Sequence, residues 1–351
     1  MRIAFLARDL TDNSLGRVYC LWLLARGLGW PTGVFAVNGD EIWKPLAGSD
    51  FAGNCILSSP DDLEASVAAF APDLLIAGKP FPDSLGRAVE IGERLGVPVV
   101  LDNDDPDIEV GLSWSKPHRR LAREVFNRQR VRRYRRMRTL ARRVPNIVSN
   151  PVLQKSWGGE IIPHVRLDPG PPQPYEDRDE ISVVFVGTNR THKGVPELRQ
   201  AIEDLRDRGF RLTVTAPKPH DAKPWERWLG YTTLAEGQAL VANADIAVIP
   251  SRRSVVSIAQ LPAKLMDAMV AGRAVVATDL PPIRWAAAGT ALLSKPGSVD
   301  GLRESLAELA DVELRRKLGA AARTVALAQF TVDAHLDTFR RVCESAVREA
   351  S

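Results

Sequence analysis

Three cysteines in 351 residues, Cys20, Cys55 and Cys343, are too few and too scattered for a disulfide scaffold, and no two stand at metal-ligand spacing. That usage suits a reducing compartment and predicts a cytoplasmic protein. Aromatic residues make up only 6%, and no apolar run approaches the roughly 18 to 20 residues of a membrane span. The opening MRIAFLARDL meets charge by Arg8, which leaves no room for a signal-peptide core. Acids are nearly missing from residues 116–143, where thirteen Lys and Arg face one acid, Glu124, a local charge of +12. The whole chain carries only +4, so everything outside that segment sums to −8. At 45% hydrophobic and 26% charged the composition excludes a disordered chain. The length suits two domains of about 150 residues each.

What is present is an alternation of patterns. Apolar runs at 2–7, 33–37, 74–77 and 97–101 read as buried strands, and 18–28 and 83–95 as helices. Near-continuous apolar strands between amphipathic helices predict a parallel sheet covered on both faces. Short strand signals follow at 147–149 and 161–162. Residues 168–180, DPGPPQPYEDRDE, hold four prolines within six positions and read as a linker that forms no core. The alternation then restarts, with strands at 182–186, 211–215, 246–250 and 274–278 and helices at 195–208, 234–243 and 263–271. Only helical patterns follow residue 300, the last at 332–348. Two α/β domains are therefore predicted, 1–165 and 166–330, with ligands at the carboxyl ends of the strands and in the cleft between domains.

Loops at those strand ends carry the candidate chemistry. Asn13-Ser14-Leu15-Gly16-Arg17 follows the first strand, and Asp102-Asn103-Asp104-Asp105 follows the strand at 97–101. In the second half, Phe185 to Gly194 (FVGTNRTHKG) brings Arg190 and Lys193 to a helix start at Pro196 and Glu197. Backbone N–H groups and two cations make an anion site, best suited to phosphate, unless the loop is a plain solvated turn. The string QLPAKLMDAMVAGRAVVATD, 260–279, puts Pro262 in the first turn of a helix, where its missing N–H costs nothing. The amides of Ala263, Lys264 and Leu265 are then expected to receive a diphosphate. Asp267, one turn in, is placed for a ribose diol, or is simply solvated.

With VGTNRTHKG at 186–194 and VANADIAVIPS at 241–251 upstream, this string resembles the nucleotide-sugar-binding domain of the retaining group 1 (family 4) glycosyltransferases. The resemblance covers about residues 181–330 and is weaker over 1–150. It implies the GT-B fold: α/β, two Rossmann-like doubly wound domains facing across a cleft, with a C-terminal helix, 331–351, crossing back to the N-terminal domain. The first domain would bind the acceptor and the second the donor. The implied activity moves a sugar from a nucleotide diphosphate sugar, UDP and GDP among the candidates, to an acceptor hydroxyl in polysaccharide or glycoconjugate biosynthesis. A sugar, a lipid-linked or a small-molecule acceptor fits equally. No dedicated nucleophile, metal or other cofactor is implied, because the departing diphosphate takes the acceptor proton while cations stabilise its charge.

Carried onto this chain, the resemblance assigns the diphosphate to Arg190 and Lys193, supported by Gly187, Thr188, Asn189, Ser251, Pro262, Ala263, Lys264 and Leu265. Asp267 would bind the ribose, and the base would lie by the loops at 215–217 and 230–232, with Tyr231. Gly16 and Arg17 stand in the loop that closes over the phosphates in relatives. Asp104 or Asp105 would orient the sugar or accept the hydroxyl proton, the plainer alternative being a turn or helix cap. Three departures stand out. Thr188 follows the glycine where the family has its arginine, Ala259 takes the place of the first of two glutamates spaced eight apart, and the usual double glycine is the single Gly16.

The basic segment, 118–143, reads as one helix with Phe126, Tyr134, Met137, Leu140, Ala141 and Val144 on one face. Its arginines suit an anionic membrane surface, which would make the protein peripheral there, or a negatively charged acceptor. A solvated helix with its apolar face in the core fits as well, and nucleic acid is disfavoured because arginine density alone reads no sequence. His164, His192 and the tryptophans at 114, 157, 225, 228 and 285 read as exposed or core residues by default. Two other readings stay open: a non-catalytic nucleotide-sugar-binding or membrane-binding relative, and a sugar-nucleotide epimerase.

Overall fold

A computed structural model describes residues 1–112, 128–176 and 178–350. The chain forms two compact units, Met1–His164 with His335–Ser351, and Val165–Ala334. Each is built on one all-parallel sheet.

The first unit orders seven strands β3-β2-β1-β4-β5-β6-β7. They are β1 (Ile3–Leu6), β2 (Thr32–Ala36), β3 (Cys55–Leu57), β4 (Leu74–Gly78), β5 (Val99–Asn103), β6 (Asn146–Val148) and β7 (Glu160–Ile161). Between them run α1 (Leu15–Gly27), α2 (Leu63–Phe70), α3 (Arg87–Leu95), α4 (Asp107–Leu112), α5 (Arg128–Ala141) and α6 (Pro151–Trp157). Every residue of β1 and β4 is buried, as a central parallel strand covered on both faces requires.

The first helix begins earlier than its apolar pattern indicates. Asp12 Oδ1 accepts the Ser14 N–H at 2.7 Å, so the turn feeds directly into α1. Gly16 and Arg17 therefore lie in a helical first turn and not in a free loop. In α5 the residues Val131, Met137 and Ala141 are buried while nine arginines between 128 and 143 are exposed. The expected start of that helix, with Phe126, lies outside the described residues, as does Trp114.

The second unit orders six strands β10-β9-β8-β11-β12-β13. These are β8 (Ile181–Phe185), β9 (Phe210–Val214), β10 (Glu226–Trp228), β11 (Ile246–Ile249), β12 (Ala274–Thr278) and β13 (Leu292–Ser294). Its helices are α7 (Val195–Glu203), α8 (Leu234–Ala242), α9 (Ala263–Val270), α10 (Pro281–Ala287), α11 (Val299–Glu308) and α12 (Val312–Gln329). A last helix, α13 (Val332–Ala350), starts in this unit and belongs to the first from His335 onward.

The proline-rich segment corrects the expectation of a coreless linker. Tyr175 within it is 8% exposed, packs in the core of the second unit and donates its hydroxyl to the Gly272 carbonyl at 3.2 Å. Four prolines exclude helix but still permit an extended strap anchored by one aromatic ring. Among the described residues no helix is long and apolar enough to cross a membrane.

Candidate functional site

In the second unit the strand order reverses between β8 and β11, and in open parallel sheets that switch point opens a crevice beyond the carboxyl ends. The loops leaving those two strands, 186–194 and 250–262, pack on each other. Arg252 N–H donates to the His192 carbonyl at 2.9 Å, and Lys193 Nζ donates to Gln260 Oε1 at 3.1 Å. Gly194 has φ +70°, and a Cβ there would lie 1.8 Å from the Pro250 carbonyl oxygen. Gly194→Ala is therefore expected to destabilise the unit by about 1–2 kcal/mol from the left-handed backbone alone, with a further cost for parting the two loops. A denaturant midpoint unchanged from the parent would contradict this account of the loop pair.

Lys264, in the first turn of α9, joins the same place. Its ammonium lies 4.3 Å from the centre of the Phe185 ring and so close over Gly187 that a Cβ there would be 2.2 Å from Nζ. Gly187, at φ +136°, is needed for that approach, and its N–H donates to Thr215 Oγ1 at 2.7 Å. Burial, and next the charge of Lys193, hold the Lys264 ammonium well below its usual pKa, with Asp267 opposing them. Pro262 precedes α9 with no side-chain cap, so the Ala263 and Lys264 amides stand at an open helix end. Leu265 corrects the expectation of three free amides, because its N–H donates to the Pro262 carbonyl at 3.0 Å in a tightened first turn.

Other expected residues are distributed unevenly. Thr188 is half-buried, Asn189 and Arg190 are exposed, and Ser251 is buried at the end of β11. Tyr231 is 53% exposed and lines a groove of about 600 Å³ with Thr213, Leu229 and Leu240. Asp267 is not simply solvated. Arg166 grips it through Nε to Oδ1 at 2.5 Å and Nη2 to Oδ2 at 3.2 Å, and Gln238 Nε2 donates to Oδ1 at 3.1 Å. Arg166 is itself held by a parallel bridge to Thr331 and by donating to the Ala263 carbonyl at 3.2 Å.

In the first unit, Arg17 departs from its expected place over phosphates. It is 2% exposed, donates twice to Asp102 from Nε and once from Nη2 at 2.8 Å, and donates to the carbonyls of Pro163 (2.7 Å) and Ile162 (2.8 Å). Burial opposes its charge, but Asp102 overrides that and holds the guanidinium above its usual pKa. Gly16 is covered by Trp43, whose ring a Cβ would meet at 2.9 Å.

Asp104 and Asp105 surround a residue that the sequence did not single out. Lys79 Nζ lies 2.8 Å from Asp104, 2.8 Å from Asp105 and 3.0 Å from Asp107. These three carboxylates lie within 4.8 Å of one another, and the cation among them is the lysine ammonium. Burial, partly offset by Lys79, pushes the Asp104 carboxyl up to about 7, and burial also raises Asp107. The one signal in the sequence was a lysine directly after a fully apolar strand, LLIAGK.

Residues 180–311 match the profile of the family described as glycosyl transferases group 1. That segment is similar to group 1 glycosyl transferases. The whole chain has the GT-B fold of solved glycosyltransferases. It is similar to Anabaena HepE in complex with UDP-glucose (TM-score 0.72, 15% identity, 98% of this chain and 100% of that one). It is also similar to the Thermosynechococcus elongatus sucrose-phosphate synthase (0.66, 14%, all of both chains). A third likeness is to WaaG, a glycosyltransferase involved in lipopolysaccharide biosynthesis (0.58, 15%, 99% of both). No curated protein matches the sequence. The two lysines and the open end of α9 fall inside the matched residues.

Proposed function

We propose that this chain transfers a sugar, with retention at the anomeric carbon, from a nucleotide diphosphate sugar to an acceptor hydroxyl. The observation that carries the reading is the convergence of Lys193 and Lys264 on the open end of α9 at the switch point of the glycosyl transferase domain. Two ammonium groups that raise each other's energy are balanced by a dianionic diphosphate, and the Ala263 and Lys264 amides add donors aimed the same way. Arg190, exposed on the facing loop, supplies a further cation.

As the bond to the anomeric carbon breaks, charge grows on the diphosphate, where these groups stabilise it more than in the bound donor. The departing oxygen takes the acceptor's proton, and the acceptor oxygen attacks from the same face, so configuration is kept. No step is assigned to a metal. The base side falls toward 215–217 and Tyr231, the ribose toward Asp267, and the acceptor to the first unit. The exposed arginines of 128–143 suit a peripheral position on an anionic surface, where a lipid-linked acceptor would be met.

The experiment is a melting panel of UDP-, GDP-, ADP- and dTDP-sugars, followed by nucleotide release and the anomeric configuration of the product. A ligand at 100 times its dissociation constant adds about 2.7 kcal/mol of stability, which a melting scan resolves easily. UDP-sugars come first because HepE binds UDP-glucose. Protein that no sugar nucleotide stabilises at millimolar concentration would end the proposal, and an inverted product would end its retaining half.

A further inference from the structure

At the amino ends of β6 and β7 the first unit holds a groove of about 580 Å³, a size usual for small-molecule sites. Its walls come from the ends of α5 and α6, the first residues of those two strands, and the second half of α13. In a parallel sheet this end lies opposite the carboxyl ends, so the groove is separate from the crevice at the sheet's own switch point.

Asn146 points to a ligand. It opens β6, is 7% exposed and lines the groove. Its Nδ2 donates to the Ala141 carbonyl at 2.8 Å and to the Val144 carbonyl at 2.9 Å, which fixes the amide's orientation. Oδ1 accepts from no group. A buried acceptor left unpaired is costly, and a hydroxyl in the groove would satisfy it.

Trp157 lines the same groove, half-buried, with its indole N–H committed to Glu109 Oε1 at 2.8 Å. Only the apolar ring is left to offer, and such a ring packs against the C–H face of a pyranose while the sugar's hydroxyls meet polar neighbours. The rim is charged. The Arg142 guanidinium lies 6.0 Å from the indole centre, and Arg341 and Arg348 rise from α13. Exposed arginines elsewhere find acids, Arg94 with Glu64 and Arg303 with Asp204, but among the described residues neither Arg142 nor Arg348 does. Of the two glutamates in the lining, Glu160 and Glu349, the second accepts from Ser345 Oγ at 2.9 Å. Three arginines against two glutamates leave one net positive charge. That balance suits a single carboxylate better than the several charges of a nucleotide diphosphate.

We infer that this groove binds an acidic saccharide: a uronic-acid ring stacks on Trp157, its carboxylate is held by Arg142 and Arg348, and a hydroxyl donates to Asn146 Oδ1. None of these residues belongs to the proposed donor site, so the inference stands without the transferase reading.

The test is calorimetry on the full chain, with trigalacturonate as the probe, maltotriose as its neutral counterpart and inorganic phosphate as a bare anion. Trigalacturonate is expected to bind below millimolar concentration, maltotriose at least tenfold more weakly, and phosphate not measurably. Arg142→Gln combined with Arg348→Gln should weaken trigalacturonate at least tenfold without moving the melting temperature, since both side chains are exposed. Trp157→Leu should weaken it by a similar factor, and if that variant unfolds the arginine pair still decides.

No binding of trigalacturonate at millimolar concentration overturns the inference. Binding that survives loss of both arginines puts the sugar elsewhere and overturns it too. Phosphate that binds as tightly as trigalacturonate makes the rim a plain anion patch, and maltotriose that binds equally removes the acidic specificity; either result ends the assignment. So do phosphatidylglycerol vesicles that bind through Arg142 and Arg348 while trigalacturonate does not. The sugar-nucleotide panel bears on none of these arms, because the probe carries no nucleotide.

Discussion

Lys264→Met is expected to lower turnover about 10²–10³-fold, the usual cost of removing one preorganised donor from developing charge. The same substitution is expected to raise the melting temperature of the ligand-free protein. The two effects have one cause. Lys264 is held below its usual pKa by burial and by Lys193, so the folded state resists a charge that the unfolded state carries freely. The sign follows from proton counting: below the normal lysine value the unfolded chain binds more protons, so this group's contribution to stability rises with pH between its depressed pKa and about 10.4. Methionine keeps the apolar stem over Phe185 and removes the penalty.

Diphosphate binding works in the opposite direction, because it selects the charged ammonium. Donor affinity should therefore weaken as pH rises through that window in the parent. The dependence should vanish in Lys264→Met, and it should flatten in Lys264→Arg, which stays cationic. Calorimetry at several pH values checks this. A Lys264→Met protein that melts lower, turns over normally and keeps the parent's pH profile would remove Lys264 from the anion site.

Local pattern revealed what local physics controls. Central strands such as LLIAG and AVVAT must be apolar on both faces, so they stand out without any partner being known. Pro262 marked the start of α9 because its ring sets the backbone angle and its missing N–H costs nothing there. Gly187 and Gly194 lie in the loop read as an anion site, where Gly187 lets the Lys264 ammonium come close and Gly194 the Pro250 carbonyl. Partners far apart in sequence left no such mark. Arg166 lies 101 residues from Asp267, so a carboxylate that reads as a ribose ligand, or as solvated, is gripped by an arginine that the local pattern does not reveal. Lys79 was not singled out, because Asp104, Asp105 and Asp107 come around it only in the fold. Tyr175 sits among prolines that signal a linker, yet one buried ring is enough to dock the segment.

Arg17→Ala is expected to cost about 3–5 kcal/mol, the range for breaking a buried ion pair by removing one partner. Asp102 is fully buried, and without the guanidinium its carboxylate has lost its counter-ion in a place where water cannot replace it. The carbonyls of Ile162 and Pro163 lose their donors too, at the end of the first unit just before the chain enters the second. For a unit of this size that loss corresponds to a fall of roughly ten degrees in its melting transition. Arg17→Lys should recover little, since one ammonium cannot span Asp102 and two carbonyls at once. Replacing the pair together, Arg17→Met with Asp102→Leu, removes both charges and should recover much of the stability, as apolar substitutes for buried pairs often do. The affinity for a nucleotide sugar, measured well below the transition, should be unchanged in all of these variants. An Arg17→Ala protein that melts like the parent but binds donor weakly would return Arg17 to the phosphates and remove it from the core.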